Sequence, residues 1–354
     1  MHGSGRSKVC VPIIGKTLDE ALKQLDEARG EADLYELRMD FLAPMGRQAL
    51  DKIIREIDKP WILCLRKQGE GGHFTGSEEE RLKALIAFKD STPDFIDIEH
   101  SADETFFDAA EKHFPSSNLI ISYHNYERTE EDLPALLSRM KGRQAAFYKI
   151  ATWAHSSLDG MRMLNFLKDN PETKLIGISM GPCGEFTRVL APLAGSEVVY
   201  AAPSLASASA PGQIPLHDMV NTYRVKKLTP KTKVLGLIGD PVTKSPSDRT
   251  HNRVIEEIGL DAVYVKIPVK ADELTLFIRA AKQFGFTGLS VTMPLKELLF
   301  ASADSLQGDA KIAGAVNTLR FAGADIDSVE PLMSYDALIF FPSEAAASEG
   351  KRIL

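Results

Sequence analysis

The feature that most restricts this chain is a repeated alternation of short apolar runs with segments of helical period, beginning at Val9. Runs with strand character fall at Val9–Gly15, Leu34–Asp40, Trp61–Lys67, Phe95–His100, Asn118–Asn125, Ala145–Thr152, Lys174–Gly181 and Glu197–Pro203. Between them lie helix candidates such as Leu18–Arg29, Ser77–Lys89, Leu133–Met140 and Ser157–Lys168, and another can start after Pro215. The count is eight strands, each followed by a helix. Strands joined by crossover helices pair in parallel, and eight such units over roughly 225 residues have the dimensions of a (β/α)8 barrel. The repeat is architectural, without sequence identity between units, so a solenoid is not indicated.

The alternation ends in Val225-Lys226-Lys227-Leu228-Thr229-Pro230-Lys231-Thr232-Lys233, a basic, polar stretch interrupted by a proline, and then starts afresh. Val234–Gly239, Ala262–Val269, Gly288–Met293 and Ala315–Phe321 read as strands, with Asp248–Ile258, Asp272–Phe284 and the short Leu295–Ser302 as helices. The expected fold is α/β: a (β/α)8 TIM barrel over residues 1–228, then a small open α/β domain with a mostly parallel sheet over residues 229–354. A length of 354 residues suits two unequal units.

A net charge of −7 supplies no positive field for polyphosphate, so neither nucleic acid nor anionic membrane is expected as a partner, whereas a small anionic substrate held by local arginines is. The three cysteines, Cys10, Cys64 and Cys183, never stand in C-x-x-C spacing, which fits a reducing compartment. No apolar run reaches membrane-spanning length and no signal-peptide pattern opens the chain, so a cytoplasmic location is expected. No heptad pattern indicates an oligomer.

Barrel chemistry sits at the C-terminal ends of the strands. There the chain places Glu36, Arg38 and Asp40 in alternation, then Arg66 with the loop Gly69-Glu70-Gly71-Gly72, Asp97 and Glu99, His124, Lys149, Arg188, and Ser209 to Gln213. Lys149 stands alone in the uncharged run Ala145-Ala146-Phe147-Tyr148-Lys149-Ile150-Ala151. Such a lysine is either paired with a carboxylate at the barrel mouth or a desolvated amine whose lowered pKa makes it nucleophilic toward a ketone. With His124 one strand earlier as a proton shuttle, an imine would suit enolisation, β-elimination or aldol cleavage. Arg66 and Arg188 are candidates for a carboxylate, and Glu36, Ser209 and Gln213 for hydroxyls. Glu36 with Arg38 also fits an interior ion network, and Glu99 reads as structural beside Asp97.

Taken together, Glu36-x-Arg38-x-Asp40, Arg66-x-x-x-Glu70-Gly71-Gly72, Ser122-Tyr123-His124, Lys149-Ile150-Ala151, Ser179-Met180-Gly181 with Arg188, and Ser209-Ala210-Pro211-Gly212-Gln213 resemble type I 3-dehydroquinate dehydratase, in that family's order over residues 8–226. The resemblance implies that Lys149 forms the imine with the ketone of 3-dehydroquinate. It implies that His124 removes the C2 proton and then helps the C1 hydroxyl leave as water, that Glu70 orients His124, and that Glu36, Arg38, Arg66, Arg188, Ser209 and Gln213 line the substrate site. No metal or diffusible cofactor is implied for this reaction.

Residues 234–319 resemble the substrate-binding domain of shikimate dehydrogenase: Gly239-Asp240-Pro241-Val242-Thr243-Lys244-Ser245-Pro246-Ser247, Ser290-Val291-Thr292-Met293-Pro294-Leu295-Lys296-Glu297 and Gly314-Ala315-Val316-Asn317-Thr318-Leu319 carry the likeness. It implies Ser245 and Ser247 as substrate contacts, Lys296 as the catalytic lysine and Asn317 as a ring-hydroxyl partner. The family's Asn-Thr-Asp segment is absent after Leu319, where the chain reads Gly323-Ala324-Asp325-Ile326-Asp327, and Asp336 is the remaining candidate for the aspartate. No G-x-G-x-x-G occurs in the 354 residues, so NADP is expected only with a further dinucleotide-binding domain. The final Lys351-Arg352-Ile353-Leu354 reads as the start of a strand, and the second unit is therefore expected to be incomplete and inactive alone. The alternatives are a bifunctional dehydratase and NADP-dependent shikimate dehydrogenase completed by a further segment, and a shikimate-binding module without turnover.

Overall fold

A computed structural model describes residues 7–42, 45–115, 118–302, 305–306, 314–321 and 335–337. The chain divides into two compact units, Met1–Thr232 and Lys233–Leu354. The segments 323–327 and 351–354 lie outside the described residues.

In the first unit the strands are β1 (Lys8–Ile13), β2 (Leu34–Arg38), β3 (Trp61–Cys64), β4 (Phe95–Glu99), β5 (Leu119–Asn125), β6 (Phe147–Trp153), β7 (Leu175–Met180) and β8 (Val198–Tyr200). They form one eight-stranded sheet in the order β7-β6-β5-β4-β3-β2-β1-β8, with every pairing parallel. The expected barrel is nearly closed: no ladder joins β7 to β8, and the seam is spanned by bonds such as Glu197 N–H to Leu175 O at 2.9 Å.

The helices are α1 (Leu18–Ala28), α2 (Met39–Leu42), α3 (Arg47–Arg55), α4 (Glu78–Ile86), α5 (Glu104–Glu111), α6 (Leu133–Met140), α7 (Ser157–Lys168) and α8 (Glu185–Leu190). Their starts are written in the sequence: Ser77 with Glu80 and Ser156 with Asp159 form reciprocal capping boxes, satisfying otherwise orphaned N–H groups. After Pro215 the expected helix is short and ends in a wide π-turn, Tyr223 N–H reaching Asp218 O at 2.9 Å. Strand two stops at Arg38, because Met39–Leu42 coils into a helical turn, so Asp40 stands in α2 and not on the strand.

Alternation carries every second strand residue into the barrel. Leu34, Ile62, Ile120, Ile176 and Val198 join one buried apolar cluster there. Two residues further along the same strands come Glu36, Cys64, Ser122, Ile178 and Tyr200, all but Ile178 carrying a polar atom, and the register sets Cys64 opposite Asp97 and Ser122 opposite Lys149. The interior therefore turns from apolar to polar toward the strands' C-terminal ends.

The second unit holds β9 (Lys233–Gly239), β10 (Ala262–Pro268), β11 (Phe286–Val291), β12 (Ser305–Leu306), β13 (Thr318–Phe321) and β14 (Tyr335–Ala337), in the order β10-β9-β11-β13-β14-β12. The three strands β10, β9 and β11 are parallel, and so are β14 and β12, but β13 runs antiparallel to both β11 and β14, so the mostly parallel sheet expected becomes mixed on that side. Helices α9 (Ser247–Glu257), α10 (Leu274–Phe284) and α11 (Leu295–Ser302) complete it. The buried Asn252 of α9 accepts from Tyr264 N–H at 2.9 Å and donates to Tyr264 O at 2.7 Å, which satisfies backbone groups of β10.

Candidate active site

A pocket open to solvent lies in the first unit and is lined by Glu36, Arg38, Arg66, His124, Tyr126, Lys149, Ala151, Ile178, Met180, Arg188, Tyr200, Ser209, Ala210 and Gln213. Eight sequence-derived candidates, from β2, the segment after β3, β5, β6, α8 and the segment after β8, thus meet around one space.

Lys149, 3% exposed, has three hydrogen-bond acceptors around Nζ: Glu36 Oε1 at 2.9 Å, Asp97 Oδ2 at 3.2 Å and Tyr200 Oη at 3.0 Å. Burial pushes its pKa down, but the carboxylates of Glu36 and Asp97 push it up further, and it ends above the ordinary lysine value. Of the two readings left open by the sequence the structure has the carboxylate-paired one, with carboxylates that come from β2 and β4, far away in the chain. The resting side chain is an ammonium.

Asp97 is the hinge of this charge cluster. Its Oδ2 also pairs with Arg66 Nη2 at 2.8 Å, and its Oδ1 accepts from Ser122 Oγ at 2.6 Å. Burial alone would raise its carboxyl, yet Arg66 and Lys149 hold it well below the usual carboxylate range. Arg66 further donates to Ser122 Oγ at 2.7 Å and faces Glu99 at 3.5 Å. Glu99 itself pairs with the buried Arg81 and accepts from Lys67 N–H at 3.0 Å, in keeping with a structural part. Arg38 forks onto Asp40 at 2.9 and 2.7 Å.

His124 lies next along β5 on the same face as Ser122, beside Ala151 of β6. Burial, then Arg66 and Lys149, push its pKa well below the usual histidine value, so the imidazole is neutral near pH 7. Glu70, on a short turn after β3, accepts from the His124 backbone N–H at 3.0 Å and lies 3.4 Å from its Nδ1, while Ser101 Oγ donates to its other oxygen at 2.6 Å. Burial raises the Glu70 carboxyl. With Nδ1–H turned to Glu70, Nε2 carries the lone pair.

Arg188 is a buried cation at the pocket wall. It is 3% exposed, its Nη2 donates to Pro211 O at 3.2 Å, and its Nε has no hydrogen-bond partner among the described residues. Burial pushes its pKa down to about 10, with Glu185 opposing. A buried donor left open at a pocket wall calls for an anionic guest. Ser209 and Gln213 are tied to each other, Ser209 N–H donating to Gln213 Oε1 at 2.7 Å and Gln213 Nε2 to Ser209 Oγ at 3.1 Å. Tyr200, the last residue of β8, and Tyr126 also line the pocket without having been singled out from the sequence. Strand alternation from Val198 carries the signal for Tyr200, but nothing local points to its hydroxyl partners.

In the second unit, Ser245 and Ser247 follow β9 and bond each other through Oγ at 2.7 Å. Lys296 stands in the first turn of α11, and Asn317 precedes β13; Val316 N–H donates to Lys296 O at 3.0 Å and Val291 N–H to Asn317 O at 2.8 Å. Ser245 and Ser247 thus follow the C-terminal end of β9, and Lys296 and Asn317 lie at the C-terminal end of its neighbour β11. The backbone of Asp336 pairs with Arg320, which pairs with Gly288 near the start of β11, away from the end that Lys296 follows.

Residues 9–230 match the type I 3-dehydroquinase family, and residues 237–319 match the shikimate dehydrogenase substrate binding domain. A chloroplastic bifunctional 3-dehydroquinate dehydratase/shikimate dehydrogenase of Arabidopsis thaliana is 32% identical over 318 residues, covering 88% of this chain and 52% of the relative. The shikimate biosynthesis protein AroDE of Chlamydia pneumoniae is also 32% identical, covering 90% of this chain and 65% of the relative. The chain thus spans between half and two thirds of the length of these curated relatives. Among solved structures, a type I 3-dehydroquinate dehydratase from Clostridium difficile, with covalently modified comenic acid, superposes with a TM-score of 0.55 at 26% identity, covering 63% of this chain and 93% of that one.

Proposed function

The chain belongs to the type I 3-dehydroquinase family, and from that premise we propose that residues 1–228 form a 3-dehydroquinate dehydratase acting through an imine on Lys149. The observation that carries this reading is a buried lysine at the floor of a pocket whose walls hold a neutral histidine braced by Glu70 and a buried arginine with an open donor. Lysine, base and anion anchor are the three parts that dehydration of a β-hydroxy ketone bearing a carboxylate requires.

In this reading the substrate carboxylate takes the open side of Arg188, while Arg38, Ser209, Gln213 and Glu36 receive ring hydroxyls. Arg66 is already committed to Asp97, Glu99 and Ser122, so its part is to hold the charge cluster beside Lys149. The ammonium of Lys149 passes one proton to His124, Nζ adds to the C3 carbonyl, and the carbonyl oxygen leaves as water after taking a second proton from Nζ and the first from His124, which leaves the iminium and a neutral His124. Neutral His124 then takes a proton from C2. The resulting enamine expels the C1 hydroxyl, which departs as a second water with the proton from His124, and hydrolysis of the iminium restores Lys149 and releases the conjugated enone 3-dehydroshikimate. No cofactor enters any of these steps.

The test is the ultraviolet absorbance of the enone. Wild-type protein mixed with 3-dehydroquinate produces it, and Lys149→Ala does not; a Lys149→Ala protein with normal turnover overturns the mechanism, and a wild-type protein that instead cleaves a C–C bond makes the barrel an aldolase.

For residues 229–354 the placement of Ser245 and Ser247 after β9, and of Lys296 and Asn317 at the same end of the neighbouring β11, supports a binding unit for shikimate or 3-dehydroshikimate. Dehydrogenases of this family use NADP. The described residues offer no Gly-x-Gly-x-x-Gly turn to seat its pyrophosphate, so no hydride step is derived from them. Calorimetric titration with shikimate is expected to give heat, and absence of heat sets the binding reading aside. Among the described residues no helix is long and apolar enough to cross a membrane.

A further inference from the structure

Tyr200 is 4% exposed, and its hydroxyl accepts from Lys149 Nζ at 3.0 Å while donating to Glu36 Oε1 at 3.0 Å. Its ring also faces the ammonium, with Nζ 4.3 Å from the ring centroid. The residue therefore reaches from β8 to both β6 and β2 across the barrel interior. We propose that Tyr200 is a positioning residue for imine formation, the neutral partner of Nζ that fixes the amine at the pocket floor and yields when the amine attacks; the inference rests on the imine reading of the site.

An ammonium has three protons, and here each has an acceptor: Glu36, Asp97 and Tyr200. Attack on a carbonyl needs a lone pair in one of those directions. A lone pair turned toward either carboxylate faces negative charge, so the direction that opens with least penalty is the one toward the neutral phenol. Burial, and then the charge of Glu36, push the Tyr200 pKa well above the ordinary phenol value, so it stays neutral through the cycle. Its single proton stays on Glu36 Oε1, keeping that carboxylate aimed at Nζ. A phenylalanine at this position would keep the ring and lose both bonds.

Tyr200→Phe and wild type are compared by quenching with borohydride at successive times after mixing with 3-dehydroquinate, counting adduct on Lys149, with steady-state kcat and KM alongside. Rates are taken per site that can be trapped at saturation, so a partly unfolded preparation does not blur the result. The expected result is a rate of imine formation and a kcat lower by roughly tenfold to a hundredfold, the factor carried by one hydrogen bond to a charged group, with KM changed much less. Imine formation at the wild-type rate overturns the proposal, as does equal movement of kcat and KM in opposite directions. A variant with no folded fraction assigns Tyr200 to the fold and also overturns it. If wild type itself gives no adduct, the failure is that of the imine reading instead.

Discussion

Arg188→Met separates what the protein does for itself from what it does for a ligand. Methionine keeps much of the length and apolar contact of the side chain and removes its charge. In the folded protein burial lowers the Arg188 pKa from 12.5 to about 10, which corresponds to about 3 kcal/mol against the folded state near neutral pH. The sign follows from a cationic base whose folded value lies below its unfolded one: the penalty is present at pH values below about 10 and fades as pH rises beyond it. Loss of the bond to Pro211 O gives back about 1 kcal/mol. The substitution is therefore expected to leave the unfolding free energy unchanged or raise it by up to about 2 kcal/mol, measured by urea denaturation without ligand. Catalysis moves the other way. Removing one partner of a desolvated guanidinium–carboxylate pair costs about 2–5 kcal/mol, so kcat/KM for 3-dehydroquinate falls roughly thirtyfold to several thousandfold. A variant that loses stability while keeping kcat/KM within a few-fold of wild type refutes the assignment of Arg188 as the anion anchor.

His124→Asn is expected to lower kcat by roughly 100- to 10,000-fold; normal turnover in this variant removes His124 from the mechanism. In wild type the acidic limb of kcat/KM is expected to fall below pH 6.5, because burial and the neighbouring cations depress His124 and a neutral base loses activity only as pH drops through its own pKa; a limb centred above 6.5 contradicts this. Glu70→Gln is expected to lower kcat with little change in KM, since Glu70 reaches the substrate only through His124; a KM-only effect contradicts the bracing part. Asp97→Asn leaves Arg66 and Lys149 buried without their shared carboxylate and is expected to lose about 3–5 kcal/mol of stability. The Asp97 contribution is present above about pH 4 and is lost only as pH falls through its depressed folded value, so acid titration of the wild-type unfolding midpoint checks the sign.

Most of the barrel could be read from the chain because its signals are local. Apolar runs mark strands, and Ser77 with Glu80 or Ser156 with Asp159 mark helix starts within a few residues. The places where local reading failed are set by partners distant in sequence. Asp40 leaves the strand because the chain coils after Arg38 to present its carboxylate to the Arg38 fork and to the His73 N–H. The state of Lys149 depends on Glu36 and Asp97, 113 and 52 residues away. Tyr200 is ordinary strand sequence, and only the meeting of β8 with β2 and β6 gives its hydroxyl two partners. The open seam between β7 and β8 was likewise invisible, since strand periodicity says nothing of which neighbours form a ladder.

Borohydride reduction of the wild-type protein in the presence of 3-dehydroquinate, followed by peptide mass mapping, tests the central claim most directly. The account predicts a substrate-derived mass on the peptide that contains Lys149 and loss of enone-forming activity in proportion to it. An unmodified Lys149 peptide, or a substrate mass on a different lysine, contradicts it.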